Sequence, residues 1–328
     1  ITTMNGSTPG VTGNITLNGP LYATTVDLET TGVNGTSIGG GGYYGVISGS
    51  GNIYADILTL SANANSYGNL GINLSGTLQP LTTGGAVTLF SWGGISIGQL
   101  GSAAKPYGAV GTSQAYLINV GTLYADSLNI STGVGSGENI INPTTNGGRW
   151  YINQLTLGTS GALNILIDTT TLTVLEPLSA QSGRTVSLST NCNWGGIKLG
   201  PIGSASSPYN QVTIQNGNAT YGVTVSGAIY TNTVSLTSAG TITGSGALIA
   251  NGITLNAGGT GGINVSGTFT PLSTGGTVLL LSGGGLTIGQ MGNSSSAYSI
   301  IKTMNGSSPG VSGNIILNGP LYASMMDL

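Results

Sequence analysis

The sequence predicts an all-β fold, a parallel β-helix (β-solenoid) with about four rungs in each ~100-residue superunit. Three observations lead there. The opening 28 residues return near the end of the chain. Apolar residues alternate with polar ones at period two between glycine-marked turns, the period of a strand and not of a helix. The repeated phrases all run in the same direction, so like residues fall above like when the chain coils, which stacks parallel ladders about 4.8 Å apart. A meander of hairpins is the competing fold.

The longest repeat is the plainest. Residues 1–28 read ITTMNGSTPGVTGNITLNGPLYATTVDL and residues 301–328 read IKTMNGSSPGVSGNIILNGPLYASMMDL, with 21 of 28 positions identical. Several differences are Thr/Ser exchanges, which keep size and hydroxyl. A period of about 100 residues lies inside this one. INLSGTLQPLTTGGAVTLFSWGGISIGQLGS from Ile72 returns as INVSGTFTPLSTGGTVLLLSGGGLTIGQMGN from Ile263, with a degenerate copy from Leu175 between them. Pro80, Pro177 and Pro271 then correspond, as do Gly101, Gly203 and Gly292. We expect one continuous solenoid over residues 1–328, with superunits at 15–116, 117–222 and 223–314 and residues 301–328 restarting the first repeat. Rungs of solenoid length start at Ile15, Ile47, Ile72, Ile95 and Leu117.

Within rungs one phrase recurs: SGNIYADILTL from Ser50, VGTLYADSLNI from Val120, SGAIYTNTVSL from Ser226 and SGALIANGITL from Ser245. It reads as glycine turn, short strand, polar corner, short strand. The alternation at Val234 and Leu236, and at Ile253 and Leu255, sends every second side chain to one face. Asn-Gly pairs, at Asn18, Asn216, Asn251 and Asn318 among others, supply residues tolerant of the positive φ that tight turns require. The position two after the recurrent tyrosine holds Thr24, Asp56, Asp126, Asn153, Asn232 and Ser324, short polar groups able to bond a turning backbone. The tyrosines themselves, Tyr22, Tyr54, Tyr124, Tyr151, Tyr230 and Tyr322, are expected to stack on adjacent rungs, the alternative being an exposed aromatic strip for glycans.

Composition agrees with such a rod. There are 60 Gly and 81 Ser plus Thr but only 13 charged residues, so charge is 4% where a soluble domain carries about 25%. Regular Val, Ile and Leu argue against a disordered Gly/Ser tract. The five basic residues, Lys105, Arg149, Arg184, Lys198 and Lys302, are scattered, which excludes the clustered cations that nucleic acid or an anionic membrane needs. No run of residues is long and apolar enough for a membrane span. Cys192 stands alone and is expected to be a small buried apolar residue. The chain opens at Ile1 without a signal segment and both termini read as ordinary rungs, so the rod is expected to continue or stack end to end beyond them.

GTLYADSLNIS and GSGALIANGITLNAGG resemble the rungs of filamentous-haemagglutinin-like exoproteins and related secreted β-helix adhesins. The resemblance covers nearly the whole chain as a style of repeat. It implies a right-handed parallel β-helix, export to an extracellular or cell-surface location, and a role in attachment or surface structure.

Polysaccharide lyases and hydrolases share the β-helix fold and work with paired carboxylates, or with a base, a cation and often calcium. This chain has no His, and its acids are Asp27, Glu29, Asp56, Asp126, Glu138, Asp168, Glu176 and Asp327, of which only Asp27 and Glu29 are close in sequence. No zinc cluster or GGxGxD calcium nonapeptide occurs, and Gly39–Gly42 lacks the context of a phosphate loop, so no catalytic, metal or cofactor residue is expected. Asn-x-Ser/Thr sequons occur at Asn5, Asn14, Asn34, Asn73, Asn129, Asn218, Asn264, Asn293 and Asn305, close to the chance number for so much Asn, Ser and Thr; glycans there would help dissolve a charge-poor surface.

The expected function is therefore structural: a subunit of an extracellular fibre, filament or sheath whose main partner is itself. The alternative is an adhesin that binds a surface or glycan through loops such as Thr31 to Ser48 or Glu138 to Trp150. A polysaccharide-active enzyme is the remote reading, and an ice-binding face a distant one, because no regular Thr-x-Thr row persists from rung to rung.

Overall fold

The computed structural model describes residues 14–30, 45–62, 70–91, 93–113, 117–132, 138–141, 150–159, 162–165, 175–176, 184–190, 196–305 and 308–328. Among these there is no helix. The strands pair in parallel, apart from a short hairpin of Met304–Asn305 with Ser308–Pro309 and one antiparallel bridge between Asn293 and Ser296. The molecule is thus all-β, with parallel strands in long stacks, an arrangement that fits a β-solenoid. The chain divides into two compact units, Ile1–Ile152 and Asn153–Leu328.

In the unit Asn153–Leu328 each turn begins with a three-residue strand. Val223–Val225, Ile242–Gly244, Ile263–Val265 and Leu286–Ile288 lie one on the next with Val223, Ile242, Ile263 and Leu286 in register. A glycine bend leads into a longer strand, Ile229–Ser238 in one turn and Leu248–Ala257 in the next, paired residue for residue from Ile229/Leu248 to Ser238/Ala257. The following turn splits this strand into Phe269–Thr270 and Thr277–Ser282, because Pro271 cannot donate to the ladder and the loop to Gly276 widens the corner. The unit Ile1–Ile152 repeats the plan: Ile15, Ile47, Ile72, Ile95 and Ile118 form one column of the first strands. In the turn expected to start at Leu117 it is its neighbour Ile118 that falls in this column.

Alternation then builds the core. Val212, Val234, Ile253, Val278 and Ile301 stack in one inward column, and Ile214, Leu236, Leu255 and Leu280 in the next, none more than 2% exposed. Burying each such side chain is worth about 1.5–3 kcal/mol. No single turn can do it alone, so the stack supplies what each rung lacks. At the end of the long strands the inward column turns polar at Asn216, Ser238 and Ser282, with the small Ala257 between the two serines, all buried. The three polar groups bond the bend that follows. Ser282 Oγ donates to the Gly285 carbonyl at 2.9 Å and the Gly284 amide donates back to it at 3.3 Å. Thr30 and Ser91 take the same place in the other unit, with Thr30 Oγ1 donating to the Gly45 carbonyl at 3.0 Å.

The widened proline corner has a second consequence. Tyr107 and Tyr298, each at most 1% exposed, donate their phenols to the backbone carbonyls of Ala55 (3.4 Å) and Ala250 (3.2 Å). Ala55 pairs with the turn of Gln79 through its amide, so Tyr107 reaches past an intervening turn to bond the one beyond it. In the same way Thr270 and Pro271 lie on the turn between Ala250 and Tyr298. The wide corner makes the room and the tyrosine fills it.

Candidate functional site

Among the described residues inward positions are spent on the core, so a site there is built from outward columns, of which three kinds are seen. The first is aromatic. Tyr22 stacks on Tyr54 with ring centroids 4.5 Å apart and planes 5° from parallel, and Tyr124 stacks on Tyr151 at 4.7 Å and 8°. The column does not run unbroken. Tyr54 has Gln79 as its next neighbour, and Gly101, with φ of 71°, sits where a side chain would collide with the Tyr124 carbonyl. Tyr230 pairs with Ile249, an aliphatic residue, and Tyr322 follows Gly292, whose φ is 69°. The six tyrosines expected as one stack are therefore brought together as two pairs, with Tyr230 and Tyr322 set beside other residue types. Burial raises the Tyr124 phenol above its ordinary pKa, with its partner Tyr151 a smaller cause in the same direction.

The second kind is the polar corner. Asp56 Oδ1 accepts the Thr82 amide at 2.7 Å and the Thr82 hydroxyl at 3.1 Å, so it ties down the wide corner of the turn above. Asn251 does the same for Ser273, at 2.8 and 3.3 Å. Its own amide donates to Asn232 Oδ1 at 3.0 Å, so the corner carries a short amide ladder. Asn153 is buried, while Asp126 and Ser324 face solvent. Asp27 and Glu29 point outward from one strand on either side of the buried Leu28. Among the described residues no three of His, Cys, Asp and Glu gather as a metal site would require.

The third kind is neutral and hydrogen-bonding. Ser187, Thr213, Ser235 and Thr254 form one outward column, and Ser189, Gln215, Thr237 and Asn256 the next. The latter lines a shallow groove of about 510 Å³ whose other wall is formed by the bends at Gly217, Ala239 and Gly258. On the short first strands, Lys198, Thr224, Thr243, Asn264 and Thr287 follow in register. The sequons sort by the same geometry. Asn73, Asn129 and Asn264 are exposed on strands, whereas Asn14, Asn218 and Asn293 use Oδ1 to accept neighbouring backbone amides, of Val46, of Thr220 with Tyr221, and of Ser295 with Ser296. Asn5, Asn34, Cys192 and most of the loops Thr31 to Ser48 and Glu138 to Trp150 lie outside the described residues, and of Asn305 only the backbone is described.

Sequence reasoning missed the groove-lining columns and the buried tyrosines. Each groove-lining column is formed by residues 19 to 26 positions apart, and only the register of stacked turns brings them into line. No protein-family model, no curated protein and no solved structure matches the chain.

Proposed function

We propose that the chain is a structural subunit of an extracellular fibre, filament or sheath, built as a right-handed parallel β-helix with about four rungs per superunit. The observation that carries the reading is the return of one structural slot. Ile15–Leu17 and Thr25–Thr30 in the first repeat have their counterparts in Ile315–Leu317 and Ala323–Asp327 in the second. Both copies pair in parallel with neighbouring turns, through Ile15/Ile47 and Thr25/Ile57 in one and Leu286/Ile315 and Ile300/Met325 in the other. A sequence that restarts and refolds into the same strands is suited to length rather than to a single reaction centre. Outward columns of Ser, Thr, Asn and Gln present a face that repels nothing, which favours lateral contact between rods. The reading assigns no catalytic group and no cofactor.

Negative-stain electron microscopy of the native material tests it. Ordered, bundled filaments are the expected result. Isolated projecting rods would favour the adhesin reading, in which loops between strands bind a surface. Globular particles would overturn both.

A further inference from the structure

The loop that joins two strands in the unit Asn153–Leu328 is held unusually firmly. Asn216, buried at the end of its strand, donates its amide to the carbonyls of Tyr221 and Asn218 and to Ser238 Oγ. Its Oδ1 accepts the Asn218 amide at 3.2 Å, and Asn218 Oδ1 in turn accepts the backbone amides of Thr220 at 2.7 Å and Tyr221 at 3.1 Å. The outcome of this pinning is the display of one aromatic side chain. Tyr221 is 38% exposed although its backbone is bonded on both sides. Tyr221 lines a hollow of about 190 Å³ together with Lys198, Thr224, Gly196 and Gly222. Those two glycines are not free to change: a Cβ on Gly196 would meet the Gly222 carbonyl, and one on Gly222 would meet the Thr241 carbonyl. The hollow is therefore built into the stacking of the turns.

From the hollow a line of hydrogen-bonding groups leads away along the stack. Thr224 lies beside Thr243, their hydroxyls 3.4 Å apart, and Asn264 and Thr287 follow on the next two turns. Neighbouring members are about 4.8 Å apart, the spacing of paired strands. We propose that this row is a binding site for an extended polysaccharide, one sugar ring lying on Tyr221 and the chain running from turn to turn over Thr224, Thr243 and Asn264. The inference concerns a ligand and does not depend on whether the rods assemble into fibres.

The chemistry selects this class of ligand. A pyranose ring offers an apolar C–H face to an aromatic ring and a rim of hydroxyls to Thr and Asn, which can donate and accept. An extended polysaccharide chain advances per sugar by a length close to the spacing between turns, so its hydroxyls can meet one turn after another. The hollow offers little apolar surface besides Tyr221, because Ile197, the other apolar residue lining it, is buried in the core. A single cation, Lys198, is too little for nucleic acid. Pinning by Asn216 and Asn218 fixes Tyr221 before any ligand arrives, which lowers the ordering cost of binding.

The test uses the full chain with three probes: insoluble cellulose and insoluble chitin in sedimentation assays, and soluble polygalacturonate in affinity electrophoresis. The protein is expected to bind at least one, and Tyr221→Ala to weaken that binding about tenfold or more, with Tyr221→Trp restoring it. Thr224→Val should weaken it as well. Thermal melting of each variant monitors folding, and for a variant that melts early the comparison rests on Tyr221→Trp and Thr224→Val. Failure to bind all three polysaccharides would overturn the proposal, and so would binding that Tyr221→Ala and Thr224→Val leave unchanged. Filament images are indifferent to either outcome.

Discussion

At the scale of single residues, the wide corners at Pro80 and Pro271 form a natural comparison, the one expected at Pro177 lying outside the described residues. Asp56 and Asn251 occupy the same place and accept the same pair of hydrogen bonds, from Thr82 and from Ser273. The acceptor oxygen matters more than the charge. Asp56→Asn is therefore expected to change stability by less than about 0.5 kcal/mol, and Asp56→Ala to cost about 1 kcal/mol, in urea unfolding. The corner was legible because a short polar residue recurs two places after the tyrosine phrase. Tyr107 and Tyr298 were not, since nothing near them in sequence says that Pro80 or Pro271 opens a corner one turn away. Burial, with the Asp56 carboxylate a lesser cause, pushes the Tyr107 phenol above its ordinary pKa, and burial does the same for Tyr298. The fold thus holds the neutral phenol. Its contribution is complete below the unfolded phenol's pKa of about 10 and is lost as pH rises from there toward the raised value. Unfolding midpoints should fall steeply above about pH 10, and a Tyr107→Phe/Tyr298→Phe double variant should show a shallower fall between pH 9 and 12 by circular dichroism. An unchanged slope would mean that these phenols are not the buried ones.

At the scale of elements, period-two alternation located the strands well, because a stacked ladder buries every second residue whatever the turn around it does. Leu236 and Ile253 are both core positions, 0% and 2% exposed. Leu236→Asp would place a carboxylate between Ile214 and Leu255 and is expected to cost several kcal/mol, or to prevent folding, in denaturant titration. Bends are as exacting as strands. Gly244 has φ of +135° and a Cβ there would collide with the Val225 carbonyl. Gly244→Ala should destabilise by about 1–3 kcal/mol or more, visible as a lowered melting temperature. What the strand pattern did not reveal was neighbour identity. Similar phrases suggested one tyrosine stack, but Gln79 and Gly101 come between Tyr54 and Tyr124, and Ile249 follows Tyr230. Resemblance between phrases fixes where a residue points, while the number of turns between phrases decides what it touches.

At the scale of the whole molecule, the all-β character leads to a far-UV circular dichroism spectrum without helical minima, and strong minima of that kind would contradict the fold. Charge does little here. With 13 side chains charged at neutral pH in 328 residues, melting temperature there should hardly respond to salt between about 0.05 and 0.5 M, whereas a fold resting on ion pairs would soften. A stack held by such uniform ladders has its own hazard. One rung looks much like the next, and Val over Val or Ile over Leu is nearly as good after a slip of a full turn. Tyr107 and Tyr298 are not satisfied by such a slip. Each phenol finds its carbonyl only when one turn, with its opened proline corner, lies between it and Ala55 or Ala250. A misthreaded chain that skipped or doubled that turn would leave a bulky ring without its cavity and a phenol without its acceptor. The tyrosines therefore act as keys that count turns, since the native order of turns is the one that gives each phenol its cavity and its carbonyl.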